Sequence, residues 1–499
     1  MSDPGTAQKT RQGTWPAPAL AAVVVVALLL RTWQLGSESP WWDEIVTLEI
    51  LDAPSVVEFV SLERAADPPM TPGYFVLAYY WSRLAGTSTI AMRWLSVLLG
   101  LVALPLTYVL ARRLYNPTAG WVAALAHAAA LPHVYYSQEV RVYALVTLLT
   151  LVSTCAFWLA LEDRRPGWWA LHLAANFVLA FTHLFTVLFF VAQGCFLLVS
   201  RRRRPRVVVG WSAAHGGFLA LLGLWLSTVD LSSVHEAASW MVTPGLREFA
   251  MTFLIFAGGR PHNENPAAHL PSGITLDWAL TLLFAGVIGW FIVKTLIERR
   301  ECGGASSASE ALGLLLCWLA IPIGVLFIAS FVWRPCFVYR YVLFSSLPLY
   351  ILLGGAVSSI RARRAQALVI VALVILSVHQ ASGIACGPFR PDWQRLSRYL
   401  ETRVKADDTV VAFQEISLNA LNFNSDLPES QVRLARVWSE VCPAVLDAYD
   451  RNGDAWLTVW LWSDPANIEA CFPANDLAAT HVDFPGWPKL RLYHVPRPD

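Results

Sequence analysis

The sequence APALAAVVVVALLLRTWQL, residues 17–35, is an apolar run long enough to decide the class of this fold. As a helix, at about 1.5 Å per residue, it would cross the roughly 30 Å hydrocarbon core of a bilayer. Arg31, Trp33 and Gln34 follow the apolar core, where a cleaved signal peptide would carry small residues. We therefore interpret the run as a retained membrane anchor.

The rest of the chain repeats this apolar pattern. Of its 499 residues, 56% are hydrophobic and 23 are tryptophan, and the charges lie in clusters between apolar stretches. Such a composition is typical of a polytopic α-helical membrane protein. Together with the first run, ten further runs predict eleven spans; the ten lie at residues 90–111, 118–133, 142–161, 167–182, 184–200, 207–228, 275–297, 310–333, 341–358 and 365–385.

Two shorter apolar stretches, residues 73–86 and 246–259, would raise the number of spans to thirteen if both crossed. Each is closer to interfacial than to spanning length. With eleven spans, most loop Lys and Arg residues fall on the side of the N-terminus, including RRRRPR at 201–206. The positive-inside rule therefore favours eleven spans and a cytoplasmic tail, residues 1–16. We expect the protein to lie in the plasma membrane. RRRRPR is interpreted as a topology determinant, and nucleic-acid binding is not expected.

The C-terminal residues 386–499 differ from the predicted membrane domain, residues 17–385. An odd number of spans places them outside the cytoplasmic membrane. Residues 392–404 have the apolar spacing of an amphipathic helix, and the segments TVVAF, WLTVWLW and KLRLYHV are typical of buried strands. The sequence therefore predicts a small, soluble, extracytoplasmic α/β domain.

The cysteines allow one disulfide bond. Cys442 and Cys471 lie in the C-terminal region, where an oxidising environment would permit a bond between them, although chance spacing explains the pair equally well. Cys155, Cys195 and Cys317 fall within spans and are expected to be small core residues. The sequence contains no CxxC, HExxH, GxGxxG or P-loop motif.

Three loops on the predicted outer side each carry charges among Tyr and Trp residues. The first, residues 36–89, contains a Trp pair directly followed by Asp43 and Glu44. The third, residues 333–350, contains Arg334 and Arg340. The second interrupts an apolar region with polar side chains, namely Gln138, Glu139, Arg141 and Tyr143. Charges gathered at one face of a membrane protein indicate a functional site.

This ordered set of motifs resembles the GT-C glycosyltransferases, in particular the protein mannosyltransferase and aminoarabinose transferase-like group (glycosyltransferase families 39 and 83). The resemblance covers roughly 370 residues. Its elements are Arg31 at the end of the first span, Asp43 with Glu44, the turn Asp67–Pro69, RWLSVLLG, YSQEVRVYAL, Thr182 with His183, and YRYVLFSSLPLY.

The resemblance implies transfer of a sugar from a polyprenyl-phosphate donor, with inversion, to an extracytoplasmic protein, lipid or glycan. It makes Asp43 the expected catalytic base, with Glu44 as a second candidate. Arg340, or Arg334 in its place, would bind the donor phosphate.

Further side chains are expected to support the site or bind the acceptor: Asp67, Gln138, Glu139, Arg141, Tyr143 and His183. We expect Glu139 to act without a metal, with Arg141 as its partner. No cofactor is expected to be required; if a divalent ion is used, Asp43 and Glu139 are its expected ligands. Asp67 stands where some family members carry Lys or His. The polyprenyl chain would lie between spans under residues 73–86.

Each assignment has a structural alternative. Asp43 or Glu44 could cap the helix that follows, Arg340 could reach toward lipid headgroups, and His183 could be a hydrogen-bonded helix end. The Trp pair could anchor the chain at the interface or stack on a sugar. A transporter or flippase of lipid-linked sugars is the alternative function, although the chain shows no internal repeat.

Overall fold

The computed structural model describes residues 17–202, 204–230, 241–259, 274–301, 306–385, 390–460, 472, 477–486 and 489–497. The predicted cytoplasmic tail, residues 1–16, lies outside this part. Six helices of the described part are long and apolar enough to cross a membrane. The chain is therefore a multi-pass membrane protein, as the apolar runs predicted.

Helices make up most of the described residues before residue 386. In order they are α1 (Ala17–Thr32), α2 (Trp42–Glu49), α3 (Val56–Ala66), α4 (Gly73–Ala85), α5 (Thr89–Leu114), α6 (Pro117–Ala129), α7 (Leu131–Ser137), α8 (Tyr143–Asp163), α9 (Pro166–Ala180), α10 (Val187–Val199), α11 (Pro205–Leu226), α12 (Leu246–Phe256), α13 (Ile274–Glu301), α14 (Ser307–Val332), α15 (Leu347–Ser358) and α16 (Arg363–Ala385). A 3-10 helix, Tyr339–Ser346, leads into α15.

Each of the eleven predicted spans carries a helix, but the helices differ in length. Those of spanning length are α5, α8, α11, α13, α14 and the joined stretch Tyr339–Ser358, whereas α1 and α10 are shorter apolar helices. α6 and α9 have 13 and 15 residues. The number of spans therefore stays a prediction. The ambiguous stretches form α4 and α12, of 13 and 11 residues, which is short for a crossing.

The C-terminal region forms the predicted small α/β structure. Its sheet has the strand order β2-β1-β3-β5-β4, in which β1 pairs in parallel with β2 and β3, and β5 is antiparallel to β3 and β4. The strands are β1 (Thr409–Phe413), β2 (Val432–Ala435), β3 (Ala455–Trp460), β4 (Thr480–Phe484) and β5 (Leu490–Val495), and the helices are α17 (Trp393–Glu401), α18 (Glu415–Asn424) and α19 (Trp438–Asp450).

Three of these strands, β1, β3 and β5, coincide with the predicted apolar segments. The sequence analysis missed β2 and β4. β4 is an edge strand, exposed over its first four residues, so it carries no apolar pattern. The buried face of the predicted helix packs inward, with Trp393, Leu396 and Leu400 in the core beneath the sheet.

Cys442 is disulfide-bonded. Its predicted partner, Cys471, lies outside the described residues, so that pairing stays a prediction. Cys155, Cys195 and Cys317 are free thiols within helices α8, α10 and α14.

The C-terminal region packs directly on α2. Ile45 of α2 is buried in the same apolar core as Trp393 of α17. The indole rings of Trp41 and Trp460 meet edge to face at 5.8 Å, and the backbone N–H of Gln394 donates to Ser39 Oγ at 3.0 Å. Trp41 therefore packs against protein, where the sequence suggested a membrane anchor or a sugar-stacking ring. This docking fixes the helix that carries Asp43.

Candidate active site

The two acidic residues of α2 face different surroundings. Both lie in the first turn of this eight-residue helix, after the N-cap residue Trp41. Neighbouring positions on a helix point about 100° apart, and here that rotation exposes 23% of the Asp43 side chain while burying the Glu44 side chain completely. Only Asp43 remains open to a substrate.

Glu44 is surrounded by donors. Arg93 Nε and Nη2 each donate to one of its carboxylate oxygens at 3.0 Å, a bidentate pair. The backbone N–H groups of Val140 and Trp41 each donate at 3.0 Å, the latter as a helix cap. Arg390 Nη1 lies 3.2 Å from Glu44 Oε2. These contacts favour the capping and structural role of Glu44 over the catalytic role expected from the resemblance.

Arg390 is a residue of this site that the sequence analysis missed. Its guanidinium lies 3.4 Å from Glu139 Oε1 and 3.9 Å from Glu38 Oε2, in addition to its contact with Glu44. Its Nη2 donates to the backbone carbonyl of Gln138 at 3.2 Å. Arg390 follows the last apolar run, at the start of the C-terminal region, and no local pattern distinguishes it from a solvated loop arginine.

Glu44 and Glu139 differ in pKa because the charges near them differ. Burial by itself raises the pKa of Glu44, but the charges of Arg93 and Arg390 outweigh it and lower this pKa to about 2. Burial raises the pKa of Glu139 to about 7, because Arg390 compensates it only in part and the charge of Glu44 adds repulsion. Glu44 is therefore an anion at neutral pH, and Glu139 titrates near neutrality.

Arg141 organises the open side of the site. Its Nη2 lies 3.3 Å from Asp67 Oδ2 and 3.9 Å from Asp43 Oδ2. The expected pair of Arg141 with Glu139 does not form; Glu139 is held by Arg390 instead. Both residues lie in the non-helical turn between α7 and α8, where neighbouring side chains need not share a face although they are close in sequence.

Glu63 of α3 is a second residue that the sequence analysis missed. Its side chain is buried beside Asp43, Asp67 and Arg141, and the Thr47 hydroxyl is the nearby donor that acts on its carboxylate, although at a geometry too poor for a regular hydrogen bond. Burial raises its pKa to about 7, and the charge of Arg141 offsets only part of that effect. In the sequence, Glu63 sits in an amphipathic pattern in which an acid normally faces solvent.

Arg340 approaches the same site from the 3-10 helix Tyr339–Ser346. Its guanidinium carbon lies 5.7 Å from the centre of the Tyr341 ring. The charges of Arg340 and Asp43 both act on Glu139 and on Asp67, Arg340 lowering and Asp43 raising the pKa of each carboxyl. Asp43 and Arg340 therefore act on the same two carboxyls. Arg334 instead places its guanidinium 5.2 Å from the exposed ring of Trp333 and, within the described residues, forms no ion pair.

Aromatic side chains pack beside the charged groups of the site. The ring of Tyr143 packs at 4.5 Å from Tyr136, whose hydroxyl donates to that of Tyr339 at 3.1 Å. His183 lies 6.0 Å from Tyr143 and 5.7 Å from Tyr341, measured between ring centres. Tyr143 and His183, both expected from the resemblance, are therefore at the site.

Gln138 has a structural position. Its Nε2 donates to the backbone carbonyls of Arg31 and Trp33, at 3.1 and 2.9 Å, and so fastens the end of α1 to the turn before α8.

The carboxylates do not form an obvious metal site. Within the described residues, no group of three or more His, Cys, Asp or Glu side chains is arranged to hold a metal ion. The two expected ligands are held apart by separate guanidinium groups, Asp43 by Arg141 and Glu139 by Arg390. The residues present do not fit a bound divalent ion, and whether one is required stays a prediction.

Comparison with known proteins identifies the fold. Residues 67–227 match the family described as dolichyl-phosphate-mannose-protein mannosyltransferase. ArnT from Cupriavidus metallidurans in the apo state matches with a TM-score of 0.54 and 13% identity, over 96% of this chain and 98% of that one. The oligosaccharyltransferase of Archaeoglobus fulgidus in the apo form matches with a TM-score of 0.57 and 11% identity, over 92% of this chain and 71% of that one.

A second structure from Archaeoglobus fulgidus agrees. The archaeal oligosaccharyltransferase AglB, in complex with an inhibitory peptide and a dolichol-phosphate, gives a TM-score of 0.52 and 11% identity, over 96% of this chain and 74% of that one. A search of curated protein sequences gives no significant match. At such low identities the likeness is one of fold. The chain therefore has the GT-C glycosyltransferase fold, as its ordered loop motifs predicted.

Proposed function

We propose that this protein is a membrane glycosyltransferase that moves a sugar from a polyprenyl-phosphate donor to an acceptor outside the cytoplasmic membrane, with inversion. The fold and the family match support this proposal. So do the ligands of the AglB structures, which hold a dolichol-phosphate with an inhibitory peptide and, in another case, a tethered acceptor peptide. The sugar, and whether the acceptor is a protein, lipid or glycan, are left open.

The observation that supports the proposal best is that Asp43 and Arg340 both act electrostatically on the same carboxyls, those of Glu139 and Asp67. Inversion places the attacking hydroxyl and the departing phosphate on opposite faces of the sugar, so the enzyme needs a base on one side and a cation on the other. Asp43 is the exposed carboxylate of α2, and Arg340 comes from a different part of the chain. Both influence Glu139, which lies between their segments in sequence.

Asp43 would act as the base that removes the acceptor proton. A catalytic base needs an accessible oxygen and a fixed direction. The side chain of Asp43 is partly exposed, so an oxygen is accessible. Arg141, at 3.9 Å, fixes its direction without a bidentate pair that would occupy both oxygens. Asp67, which takes the closer contact with Arg141, would keep Arg141 from neutralising Asp43 completely.

Arg340 would bind the donor phosphate. Negative charge grows on the leaving phosphate as the glycosidic bond breaks, and a cation already in place stabilises it in the transition state. Arg340 sits at the start of the segment leading into α15, where Tyr341 stacks with Phe185 at 4.9 Å and holds the backbone in place. The polyprenyl chain would leave this point through a groove between spans, covered by α4.

The proposal includes a location and partners. The active end faces away from the cytoplasm in the proposed topology, with residues 1–16 inside and residues 386–499 outside. The bilayer supplies the donor lipid.

The proposal is tested with the purified full chain in lipid vesicles. Polyprenyl-phosphate sugars with a radiolabelled sugar are offered together with envelope extracts, and both the released polyprenyl phosphate and the labelled acceptor are measured. Formation of both products in equal amounts supports the proposal. Movement of the intact lipid-linked sugar between leaflets without cleavage would establish the transporter alternative instead.

A further inference from the structure

A buried arginine in α1 lacks partners for most of its guanidinium. Arg31 is completely buried. Its Nη1 donates to the backbone carbonyls of Ala128, at 3.0 Å, and Ala27, at 3.4 Å. Its Nε and Nη2 have no hydrogen-bond partner, and within the described part of the chain Arg31 forms no ion pair with an acid. This is an unusual position for a cation in a membrane protein.

The one strong contact of Arg31 exists because of a proline. In a continuous helix the carbonyl of Ala128 would accept from the N–H four residues later, but that residue is Pro132, which has none. The helix breaks at Ala130 between α6 and α7, and the freed carbonyl turns to Arg31. The partial negative charge at the end of α6 favours a cation there, but it equals only about half a unit charge.

A small cavity lies against the unpartnered guanidinium. Its volume is about 10 Å³, close to the space that one water molecule requires. A halide ion is somewhat larger, so its binding requires the side chains of the lining to move apart slightly. A Cβ at Gly100 would collide with Ser137 Oγ and lie 3.3 Å from Arg31 Nε, so the glycine keeps this space open. The polar residues of its lining include Arg31, His127, His133, Ser137 and Thr147.

The lining contains no carboxylate. Arginine stays protonated in proteins, and a buried charge without a counterion costs several kcal/mol in a low-dielectric interior. Two carbonyls at one nitrogen compensate part of that cost. An anion against Nε and Nη2 would compensate the rest, and the cavity is too small for a phosphate group with its four oxygens.

We propose that this cavity is a binding site for a single monoatomic anion, of which chloride is the natural example. The ion accepts from Arg31 Nε and Nη2. This site is separate from the phosphate-binding role given to Arg340, but the two share a wall: Tyr136 and Tyr143 line both the cavity and the aromatic side of the candidate active site. A bound anion therefore stabilises the positions of these two tyrosines at the candidate active site.

The test uses the purified full chain in detergent. Its melting temperature is measured while chloride is replaced by gluconate, a large organic anion, at constant ionic strength. A ligand that binds only the folded state stabilises it in proportion to the logarithm of its concentration above Kd. We expect the wild type to lose a few degrees on chloride removal, to regain them saturably with chloride or bromide, and Arg31→Met to show no dependence.

Arg83→Met is the matched control, because Arg83 also donates to a backbone carbonyl, that of Ala53 at 2.7 Å, but on the exposed side of α4. It should keep the chloride response. If Arg31→Met does not fold, crystals of the wild type grown in bromide decide: an anomalous peak beside Arg31 supports the site. A water molecule alone at that position, or equal melting temperatures in chloride and gluconate, would overturn it.

Discussion

Arg390 Nη1 lies 3.2 Å from Glu44 Oε2, so that a residue at the start of the C-terminal region holds the helix that carries Asp43. The same guanidinium reaches Glu139, in the turn before α8. Two segments of the candidate active site are thereby connected through one side chain that lies 252 residues beyond Gln138 in the sequence. The C-terminal region is part of the architecture of the site, because the position of α2 depends on it.

Replacing Arg390 by Met should disorder α2. The change leaves Glu44 with Arg93 as its one cationic partner and removes the cation beside Glu139. Breaking a buried ion pair typically costs about 3 kcal/mol or more. We expect a lower melting temperature and faster proteolysis near α2. The control is Arg436→Met, whose exposed pair with Glu415 at 3.2 Å should contribute less than about 1 kcal/mol. Equal effects of the two substitutions would show that Arg390 is not a structural link.

Asp43→Asn should leave the fold intact and abolish sugar transfer. The amide cannot accept a proton, and loss of a general base typically lowers the rate by about 10²–10⁴-fold. Donor turnover by the purified variant provides the measurement. Asp52→Asn, in the exposed turn between α2 and α3, is the control and should keep wild-type turnover. Wild-type turnover in Asp43→Asn would exclude the role of base.

Arg340→Gln should impair use of the polyprenyl-phosphate donor. Removing a preorganised cation from a leaving group typically costs about 10²–10³-fold in rate, and Arg340→Lys should recover part of it because the charge remains. Steady-state kinetics with varied donor concentration measure both effects. Arg334→Gln distinguishes the two expected arginines: a large loss there, with normal kinetics in Arg340→Gln, would move the phosphate site to Arg334.

Glu63 should make the protein less stable as pH rises. Its pKa in the folded state is about 7, above the ordinary value of 4.5, so the folded state binds more protons than the unfolded state between these values. The contribution of Glu63 to stability is therefore fully present below pH 4.5 and is lost as pH rises through about 7, a change on the order of 3 kcal/mol.

Glu63→Gln removes this titration while keeping the shape of the protonated acid. Melting temperatures measured from pH 4.5 to 8 should fall less steeply in Glu63→Gln than in the wild type. Glu139 gives both proteins a remaining slope of the same sign, because burial also raises its pKa to about 7. Glu58→Gln, on the exposed face of the same helix, should follow the wild-type curve. Identical slopes for wild type and Glu63→Gln would mean that Glu63 is already solvated.

The sequence by itself determined the features that depend on neighbouring residues. Apolar runs predicted the positions of the long helices, and continuous apolar segments predicted β1, β3 and β5, because burial of a local pattern needs no knowledge of its partner. The ordered motifs of the loops were also sufficient to predict the GT-C fold and to single out Asp43 and Arg340 as candidates.

Only the tertiary structure decided how the charges pair. Asp43 and Glu44 are adjacent in sequence, yet the rotation of one helical position leaves one open and surrounds the other with Arg93 and Arg390. Arg141 and Glu139 are two residues apart and take different partners. A buried charge selects whichever opposite charge the packing of distant segments brings within a few ångströms, and that selection leaves no mark in the residues on either side of it.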